Sequence, residues 1–138
     1  MKNIFLPIAF IAIVCSAIGC SQNVKLTGTV VFSDDGSPLP KGTVCLTTAD
    51  FMARGDIGLD GSFTMGSTSQ KDGIPPGTYQ VHIINSEKVV GVSAEGMTLY
   101  EEVIDAKYTS ATTSELSITV DGKTKGYDIK VGRFRQRK

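Results

Sequence analysis

Short runs in which apolar and polar residues alternate, broken by punctuation rich in glycine, aspartate and proline, constrain this chain more than any other feature. In VKLTGTVVF, Val24, Leu26, Gly28, Val30 and Phe32 share one face while Lys25, Thr27 and Thr29 share the other, which is the period-two pattern of a half-buried strand. The pattern returns in GTVCLTT (Val44, Leu46), GSFTMG (Phe63, Met65), TYQVHII (Tyr79, Val81, Ile83), ELSITV (Leu116, Ile118, Val120) and GYDIKV (Tyr127, Ile129, Val131). Between the runs stand DDGSPLPKG, LDGS, GIPPG and VDGKTKG, where glycine supplies positive φ, aspartate caps the turn and proline bars helix. After the N-terminal apolar run, no segment keeps a helical period with caps. Short strands with turn signals every 8–12 residues or so predict an all-β fold, a single antiparallel β-sandwich of about seven strands over residues 24–132.

At 41% hydrophobic and 20% charged residues, the composition fits one globular core. Fourteen basic residues balance 14 acidic ones, so no overall field favours nucleic acid. The last six residues, RFRQRK (133–138), read as a solvated basic tail. There is no tryptophan, and the other aromatics are scattered, so no stacking platform is expected.

The N-terminus speaks to location. MKN precedes an apolar run, Ile4 to Ile18, which is short for a span, contains Pro7 and Ser16, and ends in small residues. It reads as an export signal. Its end, Ala17, Ile18 and Gly19 before Cys20, resembles a bacterial lipobox, in which the cysteine sulfur carries the lipid and becomes the first mature residue. Cys15 follows the bulky Val14 and fits less well. On that resemblance residues 1–19 are a lipoprotein signal peptide and 20–23 a lipid-bearing tether, and Cys20 is the lipidation site. The alternative is an ordinary secretory peptide. Ser21 in place of aspartate points, by resemblance to enterobacterial sorting, to the outer rather than the inner membrane. With Cys20 acylated, Cys45 is left without a disulfide partner.

The least regular part runs from Ser86 to Ser114 and reads as one long connection, within which GMTLYEEVI is a strand or a short helical turn. Long connections in compact domains tend to carry function. Glu101, Glu102, Lys107, Tyr108 and Thr112 are its candidate binding residues.

The order of pieces also resembles the carboxypeptidase regulatory-like, transthyretin-like β-sandwich module. Gly36, Pro38, Leu39, Gly42 and Val44 match its G-x-P-L-x-G-A-x-V piece; Asp60, Gly61 and Phe63 match its D-x-x-G-x-F piece with one residue fewer; Pro76, Gly77, Tyr79 and Val81 match L-x-P-G-x-Y-x-V. IDAKYTSATTSELSITV is similar to a stretch in small planctomycete-type lipoproteins of this kind. The resemblance implies a structural or binding role, and the matched residues shape turns rather than perform chemistry.

Catalytic and metal constellations are poorly supplied. Asp34 and Asp35 are adjacent and no acid follows until Asp50, which is not a calcium loop. GSPLPKG places Lys41 before its second glycine and lacks a following helix, which is not a phosphate loop. His82, the one histidine, cannot by itself build a zinc site, and related transthyretin-like hydrolases use a histidine pair and a Tyr-Arg-Gly-Ser ending that this chain lacks. Cys45 alternates with Val44 and Leu46 and reads as a buried structural thiol. The expectation is a non-enzymatic, lipid-anchored envelope module that needs no cofactor or metal, touches the membrane through its lipid, and binds a protein, peptide or polysaccharide but not nucleic acid. The rivals are a small exported hydrolase using His82 and an inert spacer. A buried His82 beside a carboxylate in a pocket would favour the hydrolase.

Overall fold

The computed structural model describes residues 22–67 and 72–136. The signal peptide expected at residues 1–19 and the expected lipidation site, Cys20, lie outside them. Nine strands form among the described residues: β1 (Thr27–Phe32), β2 (Thr43–Thr47), β3 (Met52–Asp56), β4 (Ser62–Thr64), β5 (Gly77–Ile84), β6 (Lys88–Val92), β7 (Thr98–Glu101), β8 (Leu116–Val120) and β9 (Gly126–Val131). A 3-10 turn, Ala106–Thr109, lies between β7 and β8.

Seven of the strands make the sandwich expected from the alternation. One sheet has the order β4-β1-β9 and the other β3-β2-β5-β8, while β6 and β7 form a separate two-stranded ribbon. Leu26, Val30, Phe32, Phe63, Ile129 and Val131 from the first sheet meet Val44, Leu46, Tyr79, Val81, Ile83 and Val120 from the second in one buried cluster. These are the faces that the period-two pattern predicts, and burying each such aliphatic side chain contributes about 1.5–3 kcal/mol.

One pairing departs from an antiparallel sandwich. β1 and β9 run parallel, from Thr27 opposite Gly126 to Phe32 opposite Val131. β8 belongs to the other sheet, and the turn after it both reverses the chain and crosses the sandwich, so β9 starts beside the start of β1 and runs the same way.

The register gives the sandwich two poles. At the entry pole, the Val24 amide donates to Ile74 O at 2.7 Å and the Thr27 amide reaches Lys125 O at 3.5 Å. At the far pole lie the β1–β2 turn, the ends of β5 and β9, and the ribbon that follows β5. The six residues of β1 separate the poles by about 20 Å.

The tail joins the fold further than its composition suggests. Asp105 donates to Gly132 O at 2.9 Å, and Phe134 donates to Val103 O at 3.0 Å, with Ile104 bridged to Arg133. The sandwich therefore extends two residues beyond the expected boundary at 132, because the backbone of 103–105 continues the sheet past the end of β9.

Candidate functional site

The far pole is built on the stretch SDDGSPLPKGTV. Asp35 accepts hydrogen bonds at Oδ1 from the Ser37 amide at 2.9 Å and the Ser37 hydroxyl at 2.6 Å, closing a turn in which Gly36 takes φ +72°. Leu39 then buries itself fully between the sheets, its amide donating to Val30 O at 2.9 Å. Arg133 folds back over this turn. Its Nε meets Asp34 Oδ2 at 2.8 Å, its Nη2 meets Asp35 Oδ2 at 2.9 Å and Ser37 Oγ at 2.8 Å, and its guanidinium lies 3.7 Å from the centre of the Phe32 ring. The hydrogen bonds from Ser37, with the Arg133 charge behind them, hold the Asp35 carboxyl down at about 2.

Between this turn and the root of the ribbon lies an open cleft of about 360 Å³. Phe32, Pro38, Pro40 and Val103 give it an apolar lining, and Lys41, Lys88 and Arg133 bring cationic groups to it. Lys41 Nζ donates to Glu87 O at 3.1 Å, tying the cleft wall to the ribbon's first residues. The size sits at the lower end of small-ligand sites.

The ribbon is the most unusual surface of the molecule. Val89 pairs with Tyr100 and Val92 with Thr98 on one face, while Leu99 and Met97 lie on the other with the Lys88–Glu101 ion pair, 2.9 Å long, at its base. Val92, Met97 and Tyr100 are 65%, 63% and 63% exposed, and Val89, Val90 and Leu99 are exposed with them. None of these six joins the core cluster. The ribbon turns at Ser93, whose Oγ accepts from the Met97 amide at 3.2 Å, with Gly96 at φ +84°. Two-stranded ribbons are marginal alone in water, and large contiguous apolar patches are rare on monomers that bind nothing.

The structure divides the five residues predicted for a binding loop. Glu101 and Glu102 lie on the ribbon and the residue just after it. Lys107, Tyr108 and Thr112 belong instead to a segment closed on itself: Asp105 Oδ1 accepts from the Lys107 amide at 3.1 Å, Lys107 O accepts from Thr113 Oγ1 at 2.7 Å, and Ser110 Oγ stands 3.0 Å from Thr112 Oγ1. Tyr108 packs partly buried against the core, with Lys107 Nζ 4.9 Å from its ring centre. The residues that sequence reasoning missed are the six exposed apolar ones. Their signal was available, since KVVGV and MTLY flank SAEG as two short strands flank a turn.

His82 and Cys45 face each other across β5 and β2, on the outer face of the four-stranded sheet, with Arg54 opposite Cys45 on its other side. Cys45 is fully buried between these two larger neighbours, and burial pushes its thiol pKa up. His82 is buried as well, and desolvation with the nearby Arg54 charge pushes its pKa down. Its Nδ1 has no hydrogen-bond partner among the described residues, and it does not line the cleft. A buried, protonated thiol is a poor nucleophile, and an imidazole with an unpartnered Nδ1 lacks the orienting group of a catalytic base. Among the described residues, no three His, Cys, Asp or Glu side chains gather as a metal site requires.

No protein-family model matches the chain, and no curated protein matches it. Solved structures that match include the major pilin subunit of Bacillus cereus, at 10% identity over 83% of this chain and 30% of that one, with a TM-score of 0.46. A 9R-lipoxygenase from Cyanothece PCC8801 matches at 18% identity over 79% of this chain and 16% of that one, with a TM-score of 0.38. The chain spans less than a third of either protein's length.

Proposed function

We propose that this protein is a non-enzymatic, lipid-anchored cell-envelope module that binds a partner at the pole carrying the ribbon and cleft. The observation that carries this reading is the opposition of the two ends. Val24, paired to Ile74, stands at the entry pole, and Cys20 precedes it by four residues. Four residues span at most about 14 Å, so a lipid on Cys20 keeps the entry pole against the bilayer. The ribbon is then held out from the membrane by the length of the sandwich. The resemblance to carboxypeptidase regulatory-like modules supports the same reading, as does the placement of recognition residues on projections from a rigid scaffold. The partner is an envelope protein, a peptide or a polysaccharide reached from the outer membrane.

Two measurements test it in the host envelope. Palmitate label is expected on the native protein and absent from Cys20→Ala. A photo-crosslinking residue in place of Tyr100 is expected to trap a partner, whereas one in place of Lys123, at the entry pole, is not. Label retained in Cys20→Ala removes the anchor, and crosslinks that do not distinguish the two poles remove the binding site.

A further inference from the structure

The geometry points to the chemistry of the occupant: the ribbon β6–β7 takes up an extended segment of a different protein chain, in which apolar residues alternate with lysine or arginine. This rests on the ribbon being the binding pole of the proposed function. Three observations carry it. First, among the described residues β6 and β7 pair only with each other, so each keeps an edge of backbone donors and acceptors with no strand beside it there. Such edges are where extended chains add as new strands. Second, both faces of the ribbon are apolar and exposed, Val89, Val92 and Tyr100 on one and Met97 and Leu99 on the other. An added strand with alternating side chains would continue one of these faces.

Third, the charge along the ribbon is net negative. Glu87, Glu95, Glu101 and Glu102 stand on or beside it against Lys88 and, at its root, Lys41, whose Nζ donates to Glu87 O, while Arg133 across the cleft is engaged with Asp34 and Asp35. Lys88 is engaged with Glu101, and Glu87, Glu95 and Glu102 make no ion pair among the described residues. An apolar strip bordered by more carboxylates than cations attracts cationic partners and repels acidic ones. The same carboxylates disfavour an anionic lipid surface, and the ribbon is rooted at the far pole, where β5 ends.

The test uses the full-length protein, purified in detergent from an expressing bacterium, with two synthetic peptides of about nine residues. One alternates valine with lysine and the other alternates valine with glutamate. The lysine peptide is expected to bind at least ~10-fold more tightly at low salt, with the difference shrinking near 0.5 M salt as screening sets in. The triple variant Val92→Thr, Leu99→Thr, Tyr100→Thr keeps strand-forming residues and is expected to lose at least ~10-fold in affinity with an unchanged melting temperature. Glu87→Gln with Glu95→Gln and Glu102→Gln is expected to narrow the preference between the peptides. Equal affinity for both peptides, binding to neither, or binding untouched by the triple variant overturns the inference. Ribbon-dependent self-association in sedimentation without peptide binding overturns it in favour of a second copy, and ribbon-dependent uptake onto phosphatidylethanolamine–phosphatidylglycerol vesicles overturns it in favour of a membrane surface. Crosslinks from position 100 with no peptide binding would leave the binding pole standing and reject only this strand chemistry. Peptide binding without palmitate on Cys20 would reject the anchor and keep this inference.

Discussion

Arg133 Nε lies 2.8 Å from Asp34 Oδ2, fastening the end of the last strand to the turn that follows the first. The contact joins positions 99 residues apart and brings together two stretches that look unrelated in sequence, an acidic turn and a basic tail. Arg133→Ala is expected to lower the melting temperature by roughly a few degrees, since it removes a two-carboxylate contact and a cation stacked on Phe32. Arg133→Lys is expected to recover only part of that, because an ammonium cannot reproduce the planar fork. Arg135→Ala serves as the reference and is expected to leave the melting curve in place.

Acid is expected to weaken the same turn. The Asp35 carboxyl is held at about 2 against an ordinary 3.8, and Asp60 and Asp121 are lowered by hydrogen bonds from Ser62 and from Lys123 and Thr124. A depressed carboxyl stabilises the fold fully above its unfolded value and loses that contribution as pH falls toward its folded value. Stability should therefore drop between about pH 4 and pH 2, and Asp35→Asn should flatten that limb in denaturant titrations.

Gly28 of β1 stands opposite Tyr127 of β9 and Phe63 of β4. A methyl group there would run into the Tyr127 carbonyl and come within 2.8 Å of the Phe63 ring. Gly28→Ala is expected to destabilise the protein by about 1–3 kcal/mol, the usual cost of overpacking, measured by urea unfolding.

The ribbon and the core should separate cleanly in mutagenesis. Leu39 is fully buried and Leu39→Ala is expected to cost about 2–5 kcal/mol. Leu99→Thr, on the exposed ribbon outside the core cluster, is expected to change stability by no more than about 0.5 kcal/mol. A large loss at Leu99 would mean that the ribbon packs on the sandwich instead of projecting from it.

Cys45 should be silent in the native state. Its thiol is fully buried with a raised pKa, so a thiol reagent such as dithionitrobenzoate is expected to modify Cys45 only after denaturant is added. Rapid labelling of Cys45 under native conditions would reopen a role for the pair it forms with His82.

The strands of the sandwich could be read from the chain because each carries its own signal: apolar residues two apart, with turn residues at both ends. Val44 and Leu46, or Val81 and Ile83, declare their shared face without reference to anything else. The ribbon was harder to read. KVVGV is apolar on both faces, so its alternation vanishes, and a run of that kind looks the same whether it is buried on both sides or exposed on both. The burial of His82 was open for a related reason. Its position in the alternation puts it on the outer face, but whether that face is open depends on the neighbours that β2 and β3 bring across the sheet.

The sequence by itself determined the all-β class, the inward faces of the strands and the turn at Asp34 to Pro38, because each of these rests on residues close together in the chain. Only the tertiary structure decided the parallel pairing of β1 with β9, the return of Arg133 onto Asp34 and Asp35, and the exposure of Val89, Val92, Leu99 and Tyr100 at the far pole. These are contacts between distant segments, or the lack of them. They follow from which strands end at the same pole, and local periodicity carries no information about that.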